Sequence, residues 1–204
     1  MIKREIVKID NLLTDNEMKE FESELLLLDS QLQEEHNYGI AGKNLSNYSR
    51  IYLDDLYEKN RSDSFILNVL TSKLFSDLIF SKLGRLEPFL RLIPFSNKHE
   101  IQYTVYEKGG EYKWHLDSTY PDNRIANFIL YINDDFEGGE LELSFENNID
   151  IYHDDEQFNP PTHMVVVPKK NTLVIMPSDM WHKVKPITNG KRRTLNGHIG
   201  FGRS

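Results

Sequence analysis

Residues 101–117 read IQYTVYEKGGEYKWHLD. The first six, Ile101 to Tyr106, mix β-branched and aromatic side chains with polar ones, which reads as a strand. Gly109-Gly110 then marks a turn. Tyr112 to Asp117 reads as a second strand, on which alternate side chains share a face. His115 and Asp117, one residue apart, would therefore present to the same spot.

Working outward, Asn127 to Ile132, Leu141 to Phe145, Met164 to Val167 and Leu173 to Met176 have the same strand texture. Pro121-Asp122-Asn123, Gly138-Gly139 and Lys169-Lys170-Asn171 punctuate them as turns. This spacing of short strands predicts a barrel or sandwich. Residues 146–163, rich in Asn, Asp and Pro, read as an insertion between strands. Toward the N-terminus the pattern becomes helical. Residues 3–9 alternate loosely, as an edge strand would. Thr14-Asp15-Asn16-Glu17 has the form of a capping box, and Met18, Phe21, Leu25 and Leu28 follow at helical spacing. Residues 30–50 read as a long polar loop. A second helix is predicted from about Ser62 to Leu83, with Ile66, Leu67, Leu70, Leu74, Leu78 and Phe80 on its apolar face. The expected fold is mainly β with flanking α-helices. It is one domain over residues 1–204, with helical support and the first strands in 1–87 and the β core in 88–204.

Composition narrows the chemistry. With 39% hydrophobic and 27% charged residues, the 204-residue chain can bury a sizeable core. A net charge of −8 argues against a non-specific nucleic-acid or anionic-membrane binder, since both need a cationic field. There is no cysteine, which excludes disulfides, thiolate-bound zinc, iron–sulfur clusters and a catalytic thiol. Any metal must be held by His, Asp, Glu or backbone oxygen. The charged N-terminus has no secretory h-region, and the longest apolar run, Phe128 to Ile132, is too short to cross a bilayer. A cytoplasmic protein with no membrane and no nucleic-acid partner is expected.

Of seven histidines, His182, in Trp181-His182-Lys183-Val184, supplies a third ligand from a later strand. Two histidines and a carboxylate form a facial triad that leaves other metal positions open, the arrangement of non-haem Fe(II) oxygenases. The remaining candidates have plainer readings. Tyr112 and Trp114 are expected to be barrel packing, His153-Asp154-Asp155 a solvated charge run, and His163 and His198 structural. Trp181 is left between packing and the site. Arg124 is read equally as a substrate contact or a strand support.

The segment from Tyr106 to Arg192 resembles the prolyl 4-hydroxylase-like branch of the 2-oxoglutarate and Fe(II)-dependent oxygenases. Tyr106-Glu107-Lys108-Gly109-Gly110-Glu111-Tyr112 precedes His115 in that family's register. Arg124, Leu130-Tyr131-Ile132-Asn133 and Gly138-Gly139-Glu140 follow. His182 is then succeeded by Pro186, Gly190 and Arg192 at the family's offsets. Two departures stand out: Leu141 replaces the usual Thr after Gly-Gly-Glu, and Thr194-Leu195-Asn196-Gly197-His198 lacks the usual Trp. The resemblance implies a double-stranded β-helix (jelly-roll, cupin-like) core. It also implies Fe(II) on His115, Asp117 and His182, and 2-oxoglutarate and O2 as co-substrates. Succinate and CO2 are the implied co-products, with ascorbate as a candidate accessory. The outcome expected is hydroxylation of an unactivated C–H in a small molecule, a free amino acid or a peptide, prolyl residues included.

The far carboxylate of 2-oxoglutarate is a buried anion and needs a paired cation. Arginine's planar fork suits it, so Arg192 is the expected anchor and Tyr106 a hydroxyl donor to the same group. Strand alternation then sends Arg193 outward as a solvated surface charge. Three other readings compete. One is a non-catalytic jelly-roll module that senses a metal or small acid; another is a hydrolase or isomerase holding Zn2+ or Mn2+ on the same ligands. The third, a nucleic-acid demethylase, is disfavoured by the net charge. Retention of all three ligands and of Arg192 counts against the first, and the second has no need of an anion clamp ten residues past its last ligand.

Overall fold

The computed structural model of the chain describes residues 6–35, 46–74, 101–117, 124–146 and 159–200. In chain order these form β1 (Val7–Asp10), α1 (Asp15–Leu28), β2 (Gln33–Glu35), β3 (Tyr48–Tyr52), α2 (Leu53–Leu56) and α3 (Phe65–Leu74). Then follow β4 (Gln102–Tyr106), β5 (Tyr112–His115), β6 (Arg124–Tyr131), β7 (Glu137–Gly138) and β8 (Leu141–Ser144). The chain finishes with β9 (Met164–Val166), β10 (Thr172–Pro177), β11 (Trp181–Val184), β12 (Ile187–Asn189) and β13 (Arg192–Gly200).

The strands assemble into a main sheet ordered β1-β10-β6-β13-β4-β3-β2 and a smaller one ordered β5-β11-β8-β9. Within the main sheet, β4-β13-β6-β10 faces the smaller sheet to make the eight-stranded jelly roll. Of the barrel or sandwich left open by strand spacing, the chain adopts this one. β7 and β12 form a separate two-stranded ribbon. The edge strand expected near residues 3–9 is β1, which pairs with β10 from Val7↔Ile175 to Asp10↔Thr172.

Period-two alternation sorts the main sheet into two faces. Tyr103, Val105, Phe128, Leu130, Leu173, Ile175, Leu195 and Ile199 point out and bury against the helices. Tyr106, Ile129, Tyr131, Val174 and Met176 point in and pack with Leu141, Leu143 and Val184 of the smaller sheet. The principal apolar core therefore lies between helices and sheet, outside the barrel. α1 contributes Met18, Phe21, Leu25 and Leu28 to it, as its spacing predicts. Each such side chain, fully buried, stabilises by about 1.5–3 kcal/mol. The capping box is formed: the Thr14 hydroxyl accepts from Glu17 N, and the Glu17 carboxylate accepts from Thr14 N at 2.7 Å. The start of α3 is satisfied in a similar way. Leu67 N donates to Ser64 Oγ (3.1 Å), and Glu24 of α1 accepts from Ser64 Oγ (2.6 Å) and Ile66 N (3.0 Å).

Three expectations are corrected. The stretch 30–50 is not one loop: β2 and β3 occupy its described ends, pairing from Gln33↔Arg50 to Glu35↔Tyr48. The second helix begins at Phe65 rather than Ser62, because Arg61–Asp63 is a separate 3-10 turn. The β7–β12 ribbon was not foreseen; at two and three residues its strands are too short to carry periodicity. The helical tail beyond Leu74, the turn 121–123, most of the insertion 146–163, and His36, His99 and His153 lie outside the described residues. Among the described residues, no helix is long and apolar enough to cross a membrane.

Candidate metal centre and its cavity

β5 and β11 run antiparallel with His115 directly opposite His182. The two imidazoles meet at 4.0 Å between ring centroids. Asp117 completes the group, its carboxylate oxygens 3.6 Å from His115 Nε2 and 3.3 Å from His182 Nε2. Ligand atoms of all three lie within 4.8 Å of one another, close enough to hold one metal ion. Each ring's other nitrogen is turned to a backbone carbonyl, His115 Nδ1 to Lys113 O (2.7 Å) and His182 Nδ1 to Met180 O (2.9 Å). A carbonyl can only accept, so each Nδ1 donates, and each Nε2 is the atom that faces Asp117 and, in the neutral ring, presents its lone pair there. That tautomer is the one a metal ligand needs.

Asp117 is not on the strand, contrary to the expectation of two side chains on one strand face. β5 ends at His115, and Asp117 is held beyond it by long-range bonds. Its N–H donates to Ser178 O (3.3 Å), its carbonyl accepts from Arg124 Nη1 (2.9 Å), and Ser178 Oγ donates to Arg124 O (2.8 Å). Arg124 thus supports the ligand loop, and it also lines the cavity. A bulge between the β5–β11 pairs His115↔His182 and Tyr112↔Val184 sets two residues, Lys113 and Trp114, against one, Lys183. It brings Tyr112 onto the face of His115, where the rings stack at 3.5 Å and 10°. Tyr112 is therefore cavity wall as well as packing. Trp114 lies off the cavity, its Nε1 donating to Asn159 Oδ1 at 2.9 Å and Lys183 Nζ 4.9 Å from its ring centroid. Trp181 is also buried outside the cavity lining. His163 bonds Ser144, as a structural histidine does.

Charge is tightly coupled here. Burial first and the neighbouring His182 second outweigh the pull of Asp117 and lower the pKa of His115 to about 3. Burial raises Asp117, but the attraction and hydrogen bond of His182 and the attraction of His115 outweigh this and hold the carboxyl well below its usual range. For His182, burial pulls down and Asp117 pushes up; Asp117 wins, so its pKa is raised. The site offers two imidazole nitrogens and a standing carboxylate, hard-to-borderline donors suited to Fe(II).

The triad opens on a cavity of about 220 Å3. At its far wall Arg192 begins β13, paired with Tyr106 of β4. Only 2% of it is exposed. Its guanidinium carbon lies 5.1 Å from the Tyr106 ring centroid and 5.2 Å from that of Tyr131. Its Nε and Nη2 are buried with no hydrogen-bond partner among the described residues. Burial raises the pKa of Tyr106 well above its ordinary value and that of Tyr131 also, so both phenols keep their protons and can donate. Gly139 makes room for the arginine's stem: a Cβ there would stand 3.0 Å from Arg192 Cδ and 2.5 Å from Ile187 Cδ1, and its φ of +69° is costly for any other residue. Asn133 fastens the start of the strand, accepting from Arg193 N (2.8 Å) and donating to Lys191 O (2.7 Å).

Arg193 points to the opposite face, as alternation requires, but it is no solvated surface charge. Its Nε donates to Tyr103 Oη (3.0 Å) and its Nη2 to Asp29 Oδ2 (3.1 Å), and its side chain is 28% exposed. The end of α1 covers that face of the sheet. Sequence reading missed Tyr48, Arg50 and Tyr52 of β3, which also line the cavity. Their alternation was the available sign.

Residues 101–200 match the family model described as the 2OG-Fe(II) oxygenase superfamily. Among curated proteins, a probable prolyl 4-hydroxylase 9 of Arabidopsis thaliana is 34% identical over 90 residues, 40% of this chain. The match spans only 30% of that protein's length. Among solved structures, a Pseudomonas putida prolyl-4-hydroxylase superposes with a TM-score of 0.66 at 19% identity, over 98% of this chain and 95% of that one. A Trichoplax adhaerens prolyl hydroxylase, solved with a hypoxia inducible factor peptide fragment, gives 0.69 at 17% identity, over 98% and 84%. At such identities the two structures speak for the fold. The family match, the shared jelly roll and the His-Asp-His group agree: residues 101–200, the nearly half of the chain that holds the site, are similar to the 2OG-Fe(II) oxygenase superfamily.

Proposed function

We propose that residues 1–204 act as one catalytic domain, an Fe(II)- and 2-oxoglutarate-dependent dioxygenase that hydroxylates an unactivated C–H of a small molecule or peptide. His115, Asp117 and His182 are its iron ligands. Arg192 receives the far carboxylate of 2-oxoglutarate, with Tyr106 and Tyr131 beside it. The observation that carries this reading is Arg192 itself. A buried guanidinium with two unpartnered nitrogens is costly, and it lines the same cavity as the triad. A dianionic 2-oxo acid answers both needs, with one end for the metal and the other for the arginine.

The protein's part is positioning and exclusion. The two imidazoles hold their Nε2 lone pairs inward because their Nδ1 protons are committed to Lys113 O and Met180 O. Asp117 supplies the negative charge, steadied by Ser178 and Arg124. Arg192 orients the co-substrate through two-point contact. Ile129, Met176 and Val184 give the cavity apolar walls that limit water. Iron held at the triad would, with 2-oxoglutarate and O2, supply the oxidising power, with succinate and CO2 as the co-products.

The test is anaerobic spectroscopy followed by turnover. Fe(II) and 2-oxoglutarate added together should give a visible charge-transfer band, lost in His115→Ala and in His182→Ala. Admission of O2 should then yield succinate, which a non-catalytic binding module would not form. A band that survives both substitutions refutes the ligand assignment.

A further inference from the structure

The inner face of the main sheet is polar along β13, where Arg192, Thr194, Asn196 and His198 alternate inward over about 20 Å. Three carboxamides stand on or beside this row, and each has its oxygen taken up within the protein. Gln102 Oε1 accepts from Arg50 Nη1 (3.4 Å). Asn127 Oδ1 is bonded to His198 Nδ1 (2.8 Å). Asn196 Oδ1 accepts from Thr104 Oγ1 (2.7 Å) and Thr194 Oγ1 (3.2 Å). A carboxamide held by its oxygen in this way turns its N–H donors away from the groups that hold it. Asn127 is 3% exposed and its Nδ2 has no hydrogen-bond partner among the described residues. A buried donor of that kind calls for an acceptor from outside the chain.

The charge of the cavity points the same way. Its described lining carries three arginines, Arg50, Arg124 and Arg192, against Asp117 alone, in a chain of net charge −8. Arg124 is turned to the Asp117 carbonyl, and Arg192 stands at the co-substrate end. Arg50 stands beside the donor row, held by Tyr48 Oη (3.4 Å) and by the Tyr52 ring, 4.6 Å from its guanidinium carbon. A cation flanked by amide donors fits an acceptor-rich anion and disfavours the blocked backbone of an internal peptide residue.

Resting on the dioxygenase reading above, we propose that the substrate is a small carboxylic acid of the free amino-acid class. Arg50 and Gln102 receive its carboxylate, and Asn127 donates to a second oxygen of the same molecule. The test uses the full chain with Fe(II), 2-oxoglutarate and O2, reading succinate. The probes are the twenty free L-amino acids, each paired with its α-amide, and one prolyl tripeptide blocked at both ends. At least one free acid should accelerate succinate release, and its amide should need roughly 30-fold or more higher concentration for the same effect. In Arg50→Gln that acid-to-amide ratio should fall toward one, and Arg50→Lys should restore part of it. Because the ratio is taken within each protein, a loss of folded enzyme does not move it, and the wild-type pairs decide the matter without any variant. Amides as effective as acids would overturn the proposal. So would acceleration by the blocked tripeptide in place of the acids, no acceleration by any acid, or a ratio unchanged in Arg50→Gln. In each of these, uncoupled succinate still forms; its complete absence from wild type would instead overturn the dioxygenase reading.

Discussion

Replacing Arg192 by Met should move two measurable quantities in opposite directions. In the chain free of metal and co-substrate, Arg192 is 2% exposed with Nε and Nη2 unpartnered. Leaving a buried charge uncompensated destabilises by about 3–5 kcal/mol. Cation–π contact with Tyr106 and Tyr131 returns about 0.5–2 kcal/mol from each ring. Methionine keeps most of the stem's volume and has no charge to bury, so the substitution should stabilise the apo chain by about 1–3 kcal/mol. In a protein of this size that raises the melting temperature by at least about 2 °C. The loaded protein should behave in the opposite sense. Removing one partner of a buried charge pair costs about 2–5 kcal/mol, which raises the 2-oxoglutarate concentration needed for half-maximal succinate formation by roughly 30- to several-thousand-fold. The stabilisation that 2-oxoglutarate and Mn(II) give the wild type should shrink with it. Calorimetry with and without ligand, alongside succinate assays, measures both. An apo protein several degrees less stable, together with an unchanged 2-oxoglutarate requirement, would refute the reasoning.

Arg193→Ala should spare the 2-oxoglutarate requirement (less than about tenfold change). It should lower stability by about 1 kcal/mol in urea titration, because the half-exposed contacts to Asp29 and Tyr103 are partly screened. Gly139→Ala places a Cβ against Ile187 and the Arg192 stem at positive φ, so it should cost about 1–3 kcal/mol and also weaken 2-oxoglutarate use; a variant matching wild type in both would contradict the packing described. Metal binding should weaken as pH falls through the raised pKa of His182, since a ligand imidazole must be neutral and Asp117 stays charged throughout. Mn(II) titrations at several pH values should show a loss of about tenfold per unit below that point, and a flat profile would count against His182 as a ligand.

The sequence made the jelly roll legible because its inward and outward faces differ wherever a core lies on at least one side. Phe128 and Leu130 meet the helices while Ile129 and Tyr131 meet the smaller sheet, so the strand reads as continuous apolar texture. β3 escaped notice for the converse reason. Tyr48, Arg50 and Tyr52 face a polar cavity and only Ile51 packs on the main core, so no apolar period marks it. The triad was readable from residue identity and offset, but the position of Asp117 beyond the strand was not. It depends on Ser178 and Arg124, partners that spacing cannot bring together. Arg193 shows the same limit. Alternation gives a side chain's direction but not what covers it, and Asp29 approaches from 164 residues away.

The two-faced main sheet also partitions evolvability. Along β13, positions 194, 196 and 198 border the chamber, whereas 193, 195 and 199 touch the helical foundation. Chamber lining and core packing are thus encoded in interleaved sets of codons on a single strand. Variation confined to the first set reshapes the chamber at the cost of the bonds that tie Asn196 to Thr104 and Thr194 and His198 to Asn127, about 1 kcal/mol each. The same diversity spread over the second set would cut into the packing of sheet against helices.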